Sequence, residues 1–263
     1  MTLIHAIILG IIEGITEFLP ISSTGHMILT STLLKIQDNE FVKTFEIVIQ
    51  LGAIMAVVVA YYKRFLLSFQ IYLKLAVAVI PTLLAGVLVY KKLKLLMGNP
   101  IGICISLAVG GLILIIFDKW TEKKESKYLD LEDISYLDAV KIGLFQCISL
   151  IPGISRAAAT IFGGLFAGFN RRQATEFSFL LAVPTMLAAT GYDLLKTDAV
   201  IHGDDWMTLM VGGSVAFVFA LLAITAFINY VSKHGFKVFG YYRIGLVAVF
   251  VILAMVLGIP MHL

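Results

Sequence analysis

The chain has 263 residues, 60% of them hydrophobic and 14% charged, with a mean hydropathy of +0.97. Soluble domains carry about 25% charged residues, so the composition excludes one and indicates an integral membrane protein. The net charge of +3 is small and spread through loops, which gives no reason to invoke nucleic acid.

At the N-terminus there is no basic stretch or small-residue cleavage site, and Glu13 interrupts the apolar run, which argues against a removed signal peptide. Residues 13–26 then gather two carboxylates, three hydroxyls and an imidazole in apolar surroundings. A helix over 10–18 puts Glu13 and Glu17 on one face, where like charges repel unless a cation or proton lies between them. Pro20 stops that helix. Ser22, Ser23 and Thr24 are N-cap candidates for a second helix running to Leu34 and carrying His26. Carboxylates for a divalent metal, a helix N-terminus for a phosphate and a histidine for proton transfer together suit phosphoryl transfer.

Spans of about 17–25 apolar residues are predicted at 45–61, 71–90, 100–117, 177–195, 206–230 and 240–259. Two further apolar regions, 3–36 and 138–169, are broken by Pro20 and Pro152, and each half is short for a span. They are read as re-entrant helical hairpins, because irregular polar backbone at membrane depth must line a cavity or be buried in protein. Two long kinked helices, giving eight crossings, are the alternative. Pro20 and Pro152, Ser23 and Ser155, and Phe45 and Phe177 are each separated by 132 positions. The chain therefore reads as one all-α membrane domain: a first repeat over 1–117, a solvated cytoplasmic linker over 118–137, and a second repeat of inverted topology over 138–263.

On that topology thirteen Lys and Arg, among them Lys63, Lys123, Lys124, Arg171 and Arg243, lie on one side and six on the other, Arg156 being the twentieth. The basic side is cytoplasmic, so both termini and the active site face outward. Tyr61, Tyr62, Tyr90, Tyr241 and Tyr242 are assigned to interface belts. Cys104 and Cys147, with no metal-type spacing, are core hydrophobes. Gly164 and Gly168 permit close helix packing.

The second break, Pro152-Gly153-Ile154-Ser155-Arg156, centres on an arginine whose planar fork suits a phosphate or a carboxylate. Its structural alternative is an ion pair with Glu13 or Glu17. Ser155 and Thr160 either serve the site or bond back onto helix carbonyls. Glu46, Gln50 and Glu176 are candidate orienting residues.

The run Glu-Gly-Ile-Thr-Glu-Phe-Leu-Pro-Ile-Ser-Ser-Thr-Gly-His at 13–26, the later Pro-Gly-Ile-Ser-Arg, and Glu-Phe-Ser-Phe-Leu-Leu-Ala-Val-Pro at 176–184 resemble the bacterial undecaprenyl-diphosphate phosphatases, or bacitracin-resistance proteins, over nearly the whole chain. The resemblance implies hydrolysis of undecaprenyl diphosphate to the monophosphate carrier of cell-wall synthesis. It further implies a divalent cation (Mg²⁺ or Ca²⁺), a bacterial plasma-membrane location among membrane lipids, and a homodimer. Carried over by position, Glu13 and Glu17 hold the metal; Glu17, Ser23, His26 and Arg156 are catalytic; and Ser22, Thr24, Gly153, Ser155 and Thr160 bind substrate. One departure is Ala157-Ala158, where the family usually has Ser-Gly. The nucleophile stays open between Ser23 activated by His26, a water activated by His26, and His26 itself. From another class, a lipid-phosphate flippase or small-anion transporter fits the same plan.

Overall fold

The structure is a computed structural model describing residues 1–97, 100–122, 125–196 and 203–258; within it, the side chains of 67, 90–97 and 204 are not described. Lys123, Lys124 and the last residue of the sixth predicted span therefore lie outside the described residues, as does the Tyr90 side chain.

Eleven α-helices follow one another among the described residues: α1 Leu3–Thr16, α2 Ser23–Leu33, α3 Glu40–Ala60, α4 Tyr62–Leu67, α5 Phe69–Met97, α6 Pro100–Thr121, α7 Tyr136–Ile148, α8 Arg156–Ala167, α9 Arg171–Leu194, α10 Gly203–His234 and α11 Lys237–Val256. Six of them, α3, α5, α6, α9, α10 and α11, are long and apolar enough to cross a membrane. They match the six predicted spans. Residues such as Leu88, Ile116 and Leu222 are exposed on their outer faces, as lipid-facing side chains are.

Neither 3–36 nor 138–169 is one continuous kinked helix. The backbone leaves helical geometry after Thr16 and again after Ile148, giving two pairs of short helices, α1 with α2 and α7 with α8. The first helix of each pair rests on the other half of the chain: α1 packs chiefly on α10 and α7 chiefly on α5. Glycine makes the first packing close. A Cβ on Gly10 would stand 2.7 Å from the Gly212 carbonyl oxygen, and one on Gly14 would stand 2.5 Å from that of Ala216. Gly143 likewise lies against the Ala78 carbonyl. Such contacts, rather than water exclusion, draw helices together in lipid.

Gly164 lets α9 approach, since its missing Cβ would meet Ala174 at 3.0 Å. Gly168 does something else: with φ of +112° it ends α8 in the left-handed region, a conformation that costs glycine little. The linker, with Leu129 fully exposed, is also pinned to the bundle. Lys127 N–H donates to the Gly168 carbonyl at 2.8 Å, and the Tyr128 ring packs on Phe169 with centroids 5.5 Å apart. At its ends, the Asp118 carboxylate accepts from Arg171 at 3.1 Å and from the Phe236 N–H at 2.6 Å, and Asp138 accepts from Lys127, Lys141, Tyr128 and Ser135.

Candidate active site

The two breaks in helical structure meet. Ser155 Oγ, at the second break, donates to the Leu19 carbonyl of the first at 3.3 Å, so the polar residues of both motifs share one interior site.

In the first break the chain passes through Pro20 and Ile21 into Ser22, whose φ of +70° is unusual for a residue with a side chain. Strained backbone of this kind persists where the surroundings enforce it. Ser22 caps α2, its hydroxyl accepting from the Gly25 N–H at 3.3 Å. Ser23 thereby becomes the first residue of α2, where unpaired N–H groups and the dipole favour an anion. Thr24 follows it, half-buried.

The geometry divides the carboxylates. Glu17 is committed twice: Oε1 accepts from the Arg156 guanidinium at 2.8 Å, and Oε2 accepts a short hydrogen bond from Ser23 Oγ. Glu13, one turn earlier, is fully buried with neither carboxylate oxygen hydrogen-bonded. The ion-pair alternative for Arg156 is thus realised with Glu17. Arg156 also donates to the Ser178 carbonyl at 3.0 Å, lies over the Phe18 ring at 5.7 Å, and keeps an unpartnered Nε.

His26 does not pair with Ser23, as the serine mechanism activated by His26 requires. One turn of helix aims the imidazole away: Nδ1 lies 2.8 Å from the Ser22 carbonyl and Nε2 lies 2.9 Å from the Tyr242 hydroxyl, against which the ring stacks. Since Nδ1 faces a carbonyl, it carries the proton and Nε2 accepts from Tyr242. Ser155 caps α8, accepting from the Ala158 N–H at 3.1 Å. Thr160 bonds back to the Arg156 carbonyl at 2.9 Å and meets Ser178 Oγ at 2.6 Å. Both second-motif hydroxyls therefore shape the helix that carries Arg156. Gly153, with φ of +89°, turns the chain where a Cβ would stand 2.8 Å from Ser106. Ala157 and Ala158 are buried in this packing.

Of the three candidate orienters, Glu46 is half-buried with Oε1 unpartnered, and Gln50 is half-buried on α3. Glu176 is turned elsewhere, paired with Arg172 at 2.9 Å across one turn of α9. Three residues outside the predicted site belong to its surroundings: Tyr242, Arg243 and Ser178. From the sequence, Tyr242 is assigned to an interface belt and Arg243 to the cytoplasmic charge count, yet Arg243 is 1% exposed. The signal was present in the sequence, for Arg243 falls inside the sixth predicted span, where an ionisable residue marks function. The Tyr61 ring, at the end of α3, lies 6.2 Å from that of Phe179.

The family model described as bacitracin resistance protein BacA matches residues 6–249. The chain belongs to the BacA family. Curated relatives include a protein of Bdellovibrio bacteriovorus, 53% identical over 96% of either chain. One of Flavobacterium psychrophilum is 52% identical over 93% of either chain, and one of Aquifex aeolicus is 48% identical over 93% of this chain and 95% of its own. All three bear the name undecaprenyl-diphosphatase. The BacA match takes in both breaks and reaches α11, so it covers every residue of the site described above.

Proposed function

We propose that this site hydrolyses undecaprenyl diphosphate to undecaprenyl phosphate and inorganic phosphate, recycling the lipid carrier of cell-wall synthesis and conferring resistance to bacitracin. The observation that carries the reading is the Ser23–Glu17–Arg156 chain. A hydroxyl at a helix N-terminus donates to a carboxylate that is itself held by a guanidinium. The half-identical relatives named for this reaction support the substrate.

Ser23 Oγ attacks the terminal phosphorus while Glu17 takes its proton, the phosphoanhydride bond breaks, and undecaprenyl phosphate departs. The resulting phosphoserine is hydrolysed by water, which His26 deprotonates through Nε2 once the water replaces the Tyr242 hydroxyl there. The structure therefore favours Glu17, rather than His26, as the group that receives the serine proton. Ser22 and Ser155 shape the helix N-termini that face the phosphates, with Thr24, Gly153 and Thr160 beside them.

Glu13 fits the divalent cation, Mg²⁺ or Ca²⁺, because two buried carboxylate oxygens lack any partner. Glu17 would add its remaining lone pairs. No group of three His, Cys, Asp or Glu suited to a metal occurs among the described residues, so water and phosphate oxygens would complete the shell, as is usual for Mg²⁺. The ion supplies neutralisation of phosphate charge.

The short helix pairs are re-entrant hairpins of an inverted repeat, supported by the exchanged packing of α1 on α10 and α7 on α5. With Arg243 buried, the basic residues still divide twelve to six, which supports a cytoplasmic 118–138 side, both termini outside, and an active site toward the outer face. The homodimer rests on the family resemblance alone, and its test is the molar mass of protein in detergent. Phosphate release from undecaprenyl diphosphate by purified protein in detergent, where nothing can be transported, tests the activity; its absence would favour the transporter reading. A cysteine at Ser126, in a background lacking Cys104 and Cys147, resists impermeant thiol reagents in intact cells if the orientation holds.

A further inference from the structure

Arg243 heads the fully buried side chains of the described residues by volume. One of its terminal nitrogens donates to the Gly153 carbonyl at 3.0 Å, while Nε has no partner. No ion pair among the described residues includes it. A cation held between apolar helices without a counter-ion is costly. The space for it is built in: a Cβ on Gly110 of α6 would collide with its guanidinium. Its neighbour Tyr242 holds His26, and Gly153 lies two residues before the cap of α8. Arg243 therefore borders the site from α11, on a different helix from Arg156.

The two arginines differ in charge state as seen by a substrate. Arg156 is neutralised by Glu17, whereas Arg243 carries a charge that no described side chain offsets. A diphosphate ester presents two anionic groups, of which only the terminal one is transferred. Ser23, Glu17 and Arg156 are already joined to one another, and the proposed reaction assigns the transferred group to them. We propose that Arg243 binds the phosphate that stays on the lipid, an inference that rests on reading the site as a prenyl-diphosphate phosphatase. Binding there supplies the missing counter-ion through charge-assisted, fork-shaped hydrogen bonds.

The experiment uses full-length protein in detergent, a short-chain prenyl diphosphate as substrate, and the matching monophosphate and inorganic phosphate as competing products. Arg243→Gln keeps a polar amide at the buried position and removes the charge. Its KM and its inhibition constant for the prenyl monophosphate should both rise by on the order of tenfold to a hundredfold, the loss expected for one charged hydrogen-bonding partner. Inhibition by inorganic phosphate, which occupies the transferred position, should stay unchanged. Gly110→Ala, which displaces the guanidinium without removing it, should weaken monophosphate inhibition in the same selective way, and it serves if Arg243→Gln does not fold. Unchanged monophosphate inhibition in a folded variant, or equal weakening of both products, overturns the assignment. If the wild-type protein releases no phosphate, it is the phosphatase reading that fails, which the variants cannot mimic.

Discussion

Replacing Arg156 by lysine separates the two roles that the structure gives it. The guanidinium spans the Glu17 carboxylate at 2.8 Å and the Ser178 carbonyl at 3.0 Å, whereas a single ammonium on a flexible stem reaches one of them. If lysine keeps Glu17, the loss is one charged hydrogen bond, about 1.5–3 kcal/mol. Against a total stability of about 5–15 kcal/mol, the protein remains folded, and its melting temperature in detergent falls by several degrees. Turnover responds more strongly. The fork and its free Nε are the donors available to charge that develops on the transferred phosphate, and removal of one such donor costs about a hundredfold to a thousandfold. The assay is phosphate release at saturating substrate, read beside thermal unfolding of the same preparation. A variant destabilised as calculated but turning over near the normal rate would make Arg156 a counter-ion for Glu17 and nothing more.

In His26→Ala, Ser23 keeps its Glu17 acceptor, so rapid quenching with terminally labelled substrate should trap label on Ser23; a Ser23→Ala protein that still hydrolyses substrate refutes the serine route. Glu13→Gln removes an uncompensated buried carboxylate, so it should raise the melting temperature in metal-free buffer while increasing the divalent cation needed for half-maximal activity by tenfold or more, about 1.4 kcal/mol of lost cation binding; unchanged metal dependence would take Glu13 out of the metal site. Burial acts to raise the Asp138 pKa, but hydrogen bonds from Lys141, Tyr128, Lys127 and Ser135 outweigh it and hold the carboxyl well below the usual range. Its stabilising effect is therefore present above the unfolded pKa of about 4 and lost as pH falls toward the depressed folded value; Asp138→Asn should lower the melting temperature at neutral pH and flatten its decline in acid.

Much of this architecture is legible because the bilayer demands long apolar runs and penalises everything else. The six spans follow from length and hydropathy, and Pro20 and Pro152 mark where the short helices stop. The polar residues at the two breaks stand out for the same reason. What the sequence does not show is partnership across the fold. Spacing along one helix puts His26 one turn from Ser23, yet their side chains are claimed by Tyr242 and Glu17, one from 216 positions away. Arg243 was misread because a charge near the end of a predicted span counts equally as a loop residue or a buried one until packing is known. Gly168 was misread because GxxxG spacing cannot tell a packing glycine from one that ends a helix in the left-handed region.

The arrangement around Glu17 links the chemistry to the binding of substrate. One carboxylate serves two donors, so its charge state controls both. While ionised, it holds the Ser23 proton on one oxygen and the Arg156 guanidinium on the other. In the proposed mechanism, as Ser23 attacks and Glu17 takes the proton, the carboxyl becomes neutral and its claim on Arg156 weakens. That happens as negative charge must be stabilised on the transferred phosphate. Arg156 is then freer to donate to the phosphate, in a dry site where such a bond is strong. Return of the proton during hydrolysis restores the ion pair and weakens the hold on inorganic phosphate. A Glu17→Gln protein tests this exchange, because a neutral amide leaves Arg156 without its counter-ion throughout. Such a protein should bind inorganic phosphate more tightly than wild type while losing phosphoryl transfer; weaker binding would mean that Glu17 orients the guanidinium rather than competing with phosphate for it.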